Sequence, residues 1–312
     1  MEVKKISTEK LIDLKPNQRP VALDTFIGQW HITNVLRTAI TSAQKRESPI
    51  GHTLFSGPSG FGKTTLATII AKEMQSTIKA VTGYAISKPA EIISLINSLE
   101  KWDILFIDEI HRLRPNVEEV LYIAMEDYVI DVVMPEWDNM RIPVEPFTLI
   151  GATTKPESLS QPLKNRFVYT HHFMDYMPEE KNAIIRHYLD HHTIKLSNEL
   201  WLDIISEKVD SVPREIFNLT VRLRDYIVTN NIDVVDSNIW DAFIAHSRID
   251  DGGMSVLHQK YLDVLEKYDR PIWLRTISVQ LGMNEKAIEE DVEPLLLKLG
   301  KIEKKAGGRV LI

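Results

Sequence analysis

An α/β fold built on a parallel sheet, followed by helical domains, is predicted for this chain by three features of its 312 residues. Short apolar, β-rich runs alternate with helix-period segments through the first half, the pattern of parallel strands joined by helical crossovers. A glycine-rich segment connects one of these runs directly to a helix. The second half carries mainly helical periodicity and ends in a basic turn between two short β-like runs.

The candidate strands are Thr53–Ser56, Ile78–Val81, Ile104–Ile107, Phe147–Gly151 and Phe167–Thr170. Beyond them, the segments EEKNAIIRHYLDHH, LSNELWLDIISEKV and REIFNLTVRLRDYIV space apolar residues at i, i+3 or i+4, and i+7, as amphipathic helices do. Pro178 and Pro213 stand where such helices would begin, a position at which proline forfeits no hydrogen bond. His187 and His191 have the i, i+4 spacing of metal ligands, but no glutamate follows the first of them, so they read as surface residues. Trp240 and Trp273 read as core residues. Asp250-Asp251-Gly252-Gly253 is the best linker candidate. The resulting division is an α/β domain over 1–176, a small helical domain over 177–250 and a winged-helix module over 251–312. Alternation around PEWDN adds a β-hairpin at about 129–146, inserted ahead of the fourth strand.

Composition narrows the function classes. With 44% apolar and 26% charged residues the chain reads as soluble and globular rather than disordered. It has no cysteine, which excludes disulfides and thiolate-bound zinc and fits a reducing, cytoplasmic setting. MEVKKISTEKLIDL has no apolar core of a secretory signal, and no stretch is long and apolar enough to span a membrane. A net charge of −7 argues against a surface that is basic throughout, so any nucleic-acid contact must come from a local patch.

Gly57-Pro58-Ser59-Gly60-Phe61-Gly62-Lys63-Thr64 follows the first strand and opens a helix, as a P-loop does. Its glycines let backbone N–H groups turn toward phosphate oxygens at a helix N-terminus. Lys63 would neutralise the β and γ phosphates of ATP, and the Thr64 hydroxyl would ligate Mg²⁺. The strand Ile104–Ile107 ends in Asp108-Glu109, two carboxylates at the edge where ligands bind in parallel sheets. Asp108 would hold the metal shell and Glu109 would polarise an attacking water. FTLIGATT is a further apolar strand with a polar end.

These motifs, in this order, resemble those of AAA+ ATPases. RPVALDTFIGQ at 19–29, LFIDEIHRLRPNVEEVLYIAMEDYVID at 105–131 and PFTLIGATTKPESLSQPLKNRF at 146–167 are similar to the RuvB family almost residue for residue. The likeness covers nearly the whole chain. It implies an AAA+ core, helical lid and winged helix, and an ATP-driven motor. RuvB-type motors form hexameric rings around double-stranded DNA and drive branch migration at Holliday junctions. By the resemblance, Thr154 is the polar sensor of the γ-phosphate, with Thr153 as fallback. Arg166 is the finger inserted into a neighbouring copy's site, and Arg214 is the lid's sensor. It further implies base contacts near Arg19, Ile27 and Tyr176, and phosphate contacts from Gly60, Gly62, Lys63, Thr64 and Thr65. Glu126, Asp127 and Tyr128 are expected near nucleotide. The segment LGKIEKKAGGRVLI resembles the DNA-gripping wing, with Lys304 and Arg309 at the contact positions and Lys301 and Lys305 as helpers. In the RuvB family the hairpin docks a RuvA-type junction-binding partner.

Several positions depart from the family pattern: Ser59 replaces the second proline of GPPG, Gln18 a leucine and Val168 a glycine. The hairpin is shortened and carries Trp137 at its turn, which leaves the partner open. These changes fit a divergent cellular relative or one encoded by a mobile element. A clamp-loader-like or other remodelling AAA+ ATPase would share the core, but such proteins usually lack a winged helix ending in a basic wing. A non-enzymatic DNA-binding scaffold is disfavoured because each catalytic position is filled.

Overall fold

A computed structural model describes residues 19–132, 140–209, 211–247, 254, 256–268 and 270–312. The chain divides into two compact units that meet at Met177 and Pro178. The expected division near 250 and the linker Asp250–Gly253 fall outside the described residues, as do the hairpin tip and Trp137.

The first unit opens with α1 (Trp30–Arg46) and β1 (Thr53–Ser56), then α2 (Lys63–Glu73), β2 (Ile78–Thr82) and α3 (Pro89–Asn97). It continues through β3 (Ile104–Asp108), α4 (Pro115–Asp127), the hairpin β4 (Val129–Val132) and β5 (Met140–Pro143), β6 (Thr148–Thr153), α5 (Gln161–Arg166) and β7 (Tyr169–His172). Five strands form one parallel sheet in the order β2-β3-β6-β1-β7. β1 and β6 are buried at every position, as expected of strands covered on both faces. All five expected strands form. The last two start one and two residues later than expected, because Phe147 and Phe167 are used as core packing ahead of the ladders.

His52, just before β1, is buried between strands and helix: Leu149 N–H donates to its Nδ1 (2.8 Å), and its Nε2 meets the Met125 carbonyl at 3.0 Å. That pairing requires the neutral tautomer with the proton on Nε2. Gln29 fastens the segment before α1 to the end of β7, donating to Met174 O (2.6 Å) and accepting from Met174 N (3.1 Å).

The second unit contains α6 (Pro178–His191), β8 (Lys195–Leu196), α7 (Trp201–Glu207), α8 (Pro213–Thr229), β9 (Val234–Val235) and α9 (Ser237–Ser247). Both prolines are first residues of their helices. In α8 the buried Ile216, Leu219, Leu223 and Ile227 trace one stripe at helical spacing. The segment expected to be helical from Leu196 starts its helix only at Trp201. Leu196 instead pairs with Val235, and the Asn198 side chain accepts from Leu200 N at 2.9 Å, a local turn that competes with helix.

Then come α10 (Val256–Glu266), α11 (Leu274–Leu281), α12 (Glu285–Ala287), a π turn (Ile288–Val292), α13 (Glu293–Lys298), β10 (Ile302–Lys305) and β11 (Gly308–Leu311). Three helical segments with an antiparallel two-stranded wing are the winged-helix arrangement, packed on a core of Tyr261, Ile277, Ile288, Val292 and Leu296. Pro294 accounts for the π turn, since it offers no N–H to the preceding turn. Trp240 is a core residue, 2% exposed, but Trp273 is not: it is 65% exposed. Ile272 bridges to Arg309 and is buried, and in an extended segment the next side chain must point the other way.

His171, in β7, is buried, and its Nε2 has no hydrogen-bond partner. Burial, with His31 nearby, lowers its pKa to about 4. The unfolded chain therefore takes up a proton near pH 6.5 that the fold refuses until about pH 4. Stability conferred by the neutral ring is present above the upper value and declines as pH falls through this window, by at most about 1.4 kcal/mol per pH unit. Thermal unfolding followed from pH 7 to pH 4 should show a falling Tm, with a shallower fall in His171→Phe. An unchanged slope in that variant would discount His171 as a contributor.

Candidate functional site

The loop between β1 and α2 takes the shape its glycines permit. Gly57, Gly60 and Gly62 have φ values of +139°, +85° and +102°, and Gly62 caps α2. A β-carbon at Gly62 would lie 3.0 Å from the Phe26 ring, so the cradle leaves no room for a side chain there. The loop's first residue is tied to the neighbouring strand end, Gly57 N donating to Thr153 O at 3.1 Å. Lys63 is buried, and its ammonium donates to the carbonyls of Gly57 and Pro58, both at 2.7 Å. Tyr176 donates to Phe61 O at 3.0 Å from the opposite wall. Arg19 is exposed, Ile27 is half-buried, and a cavity of about 190 Å³ is lined by residues including Arg19, Pro20, Val21, Thr65 and Ile69. A run of N–H groups at a helix N-terminus beside a lysine suits a triphosphate.

The carboxylates sit two strands away on the same sheet edge. Asp108 ends β3, and its Oδ1 accepts from Glu109 N at 3.0 Å; Oδ2 accepts no bond among the described residues. Glu109 has a left-handed backbone, φ +49°, uncommon outside glycine. Its Oε2 accepts from the Thr154 hydroxyl (3.1 Å) and lies 3.1 Å from His111 Nδ1. The other oxygen accepts nothing among the described residues. Thr154, the expected sensor, thus touches the carboxylate directly. Thr153, the fallback, is fully buried and sits 2.9 Å from His111 Nδ1. Hard oxygen donors from Thr64 and Asp108 on one rim are a donor set suited to Mg²⁺.

Sequence reasoning missed two members of this site. His111 bridges Glu109 and Thr153. Its Nδ1 shares a hydrogen bond with the Thr153 hydroxyl and faces the carboxylate, and Nε2 is left buried with no partner. Burial holds the His111 pKa below the usual histidine value, with the Glu109 carboxylate pulling the other way. Gly83 is the other. A β-carbon there would lie 2.4 Å from Glu109 O, so only glycine lets the turn at Glu109 pass. The register Thr82↔Asp108 brings the two together, a signal that a single segment cannot carry.

The remaining predicted residues occupy other places. Arg166 ends α5 at the amino-terminal edge of the sheet, where Val168 N donates to His52 O. Its guanidinium pairs with Glu126 Oε2 at 2.7 Å, and its Nε is buried without a partner. Ser160 caps α5 and is 2.7 Å from Tyr122 Oη, so α4 holds both ends of the short helix. Tyr128 packs its ring on Phe147 and His52, again at the amino-terminal edge. Of the residues expected near nucleotide, Glu126 and Tyr128 thus lie with Arg166, at the opposite edge from Lys63, and Asp127 ends α4 between them. Arg214 is the second residue of α8, in the other unit.

The wing holds Lys304 and Arg309 opposite each other, but as ion pairs rather than as free cations. Arg309 donates to Glu293 (2.8 Å) and Glu289 (2.7 Å), and Lys304 lies 2.5 Å from Glu293. Tyr261 also donates to Glu293, at 2.9 Å. Burial pushes the Glu293 carboxyl up, yet the bonds from Arg309, Lys304 and Tyr261 together bring it below its ordinary value. Lys305 is exposed and pairs with Glu303 at 3.2 Å.

A phosphate cradle, an acidic strand end and a polar sensor strand, joined to a winged helix, define a P-loop ATPase with a nucleic-acid-binding module. Residues 18–173 match the family described as the Holliday junction DNA helicase RuvB P-loop domain, and residues 251–312 match the RuvB C-terminal winged helix domain. The chain belongs to the RuvB family. It is 39% identical over 298 residues to the Holliday junction branch migration complex subunit RuvB of Leuconostoc mesenteroides, covering 94% of this chain and 85% of that protein. It is 40% identical over 305 residues to the subunit of the same name from Lactiplantibacillus plantarum, covering 96% and 90%. The solved structure of the Thermotoga maritima RuvB Holliday junction branch migration motor superposes with a TM-score of 0.82 at 34% identity, covering 95% of this chain and 96% of that one. No helix of the described residues is long and apolar enough to cross a membrane.

Removing the imidazole should leave ATP binding intact while loosening Glu109. His111→Ala is expected to lower kcat about 10-fold or more with little change in KM, the signature of a misplaced catalytic group. Steady-state kinetics showing a wild-type kcat would remove the positioning role.

Proposed function

We propose that this chain is an ATP-driven motor subunit that moves double-stranded DNA and drives branch migration of Holliday junctions. The observation that carries the assembled mechanism is the placement of two half-sites on opposite edges of one sheet. Lys63, Asp108, Glu109 and Thr154 lie at the carboxyl edge, and Arg166 at the amino edge. Strands of four to six residues separate the edges by roughly 13–20 Å. Arg166 is thus badly placed to serve its own cradle and suitably placed to serve that of a neighbouring copy. A closed ring, hexameric as in the family, satisfies every site at once.

In this reading the backbone of Gly60, Gly62, Thr64 and Thr65 and the ammonium of Lys63 hold the triphosphate. Arg19, Ile27 and Tyr176 border the base. Thr64 and Asp108 would hold Mg²⁺, which would supply positive charge to the bound phosphates. Glu109, pinned through one oxygen by Thr154 and His111, offers its other oxygen to the attacking water and holds it in line. Arg166 of the adjacent copy meets the charge that develops on the transferring phosphoryl group, a contribution worth ~10³–10⁵ in rate. Glu126 and Asp127 border that shared pocket. Residues 177–250 act as the lid, and Arg214 couples it to the γ-phosphate. Lys304 and Arg309 grip DNA phosphates, contacts that carry no sequence information and so suit travel along any sequence. The hairpin 129–146 is the docking site for a RuvA-type partner, and the protein works in the cytoplasm.

Arg166→Ala should bind ATP normally and lose at least ~10³-fold of its turnover. Mixing it with Lys63→Ala copies should restore measurable hydrolysis, because intact cradles then meet intact fingers. Wild-type turnover by Arg166→Ala alone would sink the shared-site mechanism. Glu109→Gln should retain ATP unhydrolysed. On a synthetic four-way junction, with and without a RuvA-type protein, the wild-type chain should convert the junction to duplex products only with hydrolysable ATP. Failure in both mixtures would refute the motor reading.

A further inference from the structure

The two carboxylates that hold the wing's cations are not equivalent. Glu293 is fully buried and accepts from Tyr261, from Arg309 and from Lys304. Releasing it would strand a half-buried arginine and a buried tyrosine, so it belongs to the framework of the domain. Glu289 is 46% exposed at its side chain. Its Oε1 meets the outer nitrogen of Arg309 at 2.7 Å and lies 4.0 Å from the Lys304 ammonium. Arg309 Nε is committed to Glu293 and its outer nitrogen reaches Glu293 only at 3.4 Å, so Glu289 is the nearer partner of that nitrogen. The Lys304 ammonium sits on Glu293, with Glu289 at the outer limit of ion-pair range. Glu289 and Glu293, four residues apart, lie on one face of the helical segment that meets the wing.

An anionic oxygen placed between an arginine and a lysine at the mouth of a wing has the geometry of a nucleic-acid phosphate oxygen. We infer that Glu289 is an internal stand-in for a DNA backbone phosphate. It occupies the outer nitrogen of Arg309, with the Lys304 ammonium 4.0 Å away, and yields to a phosphate when duplex DNA arrives. This inference rests on the reading of Lys304 and Arg309 as DNA contacts. Binding is then an exchange of one anion for another. The gain per contact is smaller than for open cations, and the grip can be released by the side chain's return. Glu289 thereby sets the DNA affinity of the motor, whereas Glu293 sets the shape of the wing.

The test is the affinity of the full chain for a short duplex, by fluorescence anisotropy across a salt series. Glu289→Gln should tighten binding about five-fold at about 100 mM salt, the scale of a partly exposed ion pair, with an unchanged melting temperature. Glu289→Asp keeps the charge but withdraws it by one methylene from Arg309, and should tighten binding by an intermediate amount. Lys304→Ala should weaken it and flatten the salt dependence. If Glu289→Asp matches the wild type while Glu289→Gln binds more tightly, the effect is general charge and the stand-in role is overturned. If both Glu289 variants match the wild type while Lys304→Ala weakens binding, the stand-in role falls and the wing reading survives. If none of the three alters affinity, the wing reading itself fails and takes this inference with it.

Discussion

A parallel strand has its two ends on opposite edges of the sheet, and much of this protein's chemistry follows from that constraint. β1, β3 and β6 all deliver their carboxyl ends to one rim, so the phosphate loop, the acidic pair and the sensor threonine gather there without any long-range device. The same geometry sends the short helix before β7 to the other rim, and Arg166 with it. On the proposed mechanism, a guanidinium that serves a γ-phosphate is built at the edge far from its own cradle, and a second copy is needed to bring the two together.

Within the rim, the position of Glu109 is over-determined. Its backbone is left-handed, its carbonyl passes a glycine that could not carry a β-carbon, and its carboxylate is pinned by a threonine and a histidine. Strained backbone of this kind persists only where the surroundings enforce it, and it collects at sites where position matters more than stability. The buried, partnerless Nε2 of His111 is a second local cost at the same spot. Both costs go with one fixed oxygen, while the other accepts no bond among the described residues.

The phosphate loop was legible in the sequence because its chemistry is local. Positive φ at glycines, a lysine at the helix start and an apolar strand before them all fall within a dozen consecutive residues. Asp108 and Glu109 were legible for the same reason. What could not be read is what pairing brings together: Gly83 beside Glu109 through the β2–β3 register, Glu126 beside Arg166 across 40 positions, Tyr122 on the cap of α5. Trp273 was misread because composition favours buried tryptophan, whereas the in-out alternation set by Ile272 decides its side. In the wing, the basic residues were found and their acidic partners were not. The spacing of Glu289 and Glu293 was visible in the sequence, but nothing local says that a strand some fifteen residues on will cross them.

On the proposed reading of Lys304 and Arg309 as DNA contacts, that crossing explains how an acidic protein can carry a nucleic-acid grip. Glu293 connects α10, α13 and β11 through Tyr261 and Arg309, so the wing is oriented by a charged network rather than by apolar packing alone. Apolar residues of similar volume would often stabilise such a junction as well or better. They would not hold a guanidinium at the domain surface with its Nε face fixed and its outer face turned to an exchangeable anion. For a motor that must bind, pull and let go at every step, an arginine already half-neutralised is better suited than one fully free. On that reading, the tightest possible hold on DNA would stall the cycle that ATP hydrolysis has to drive.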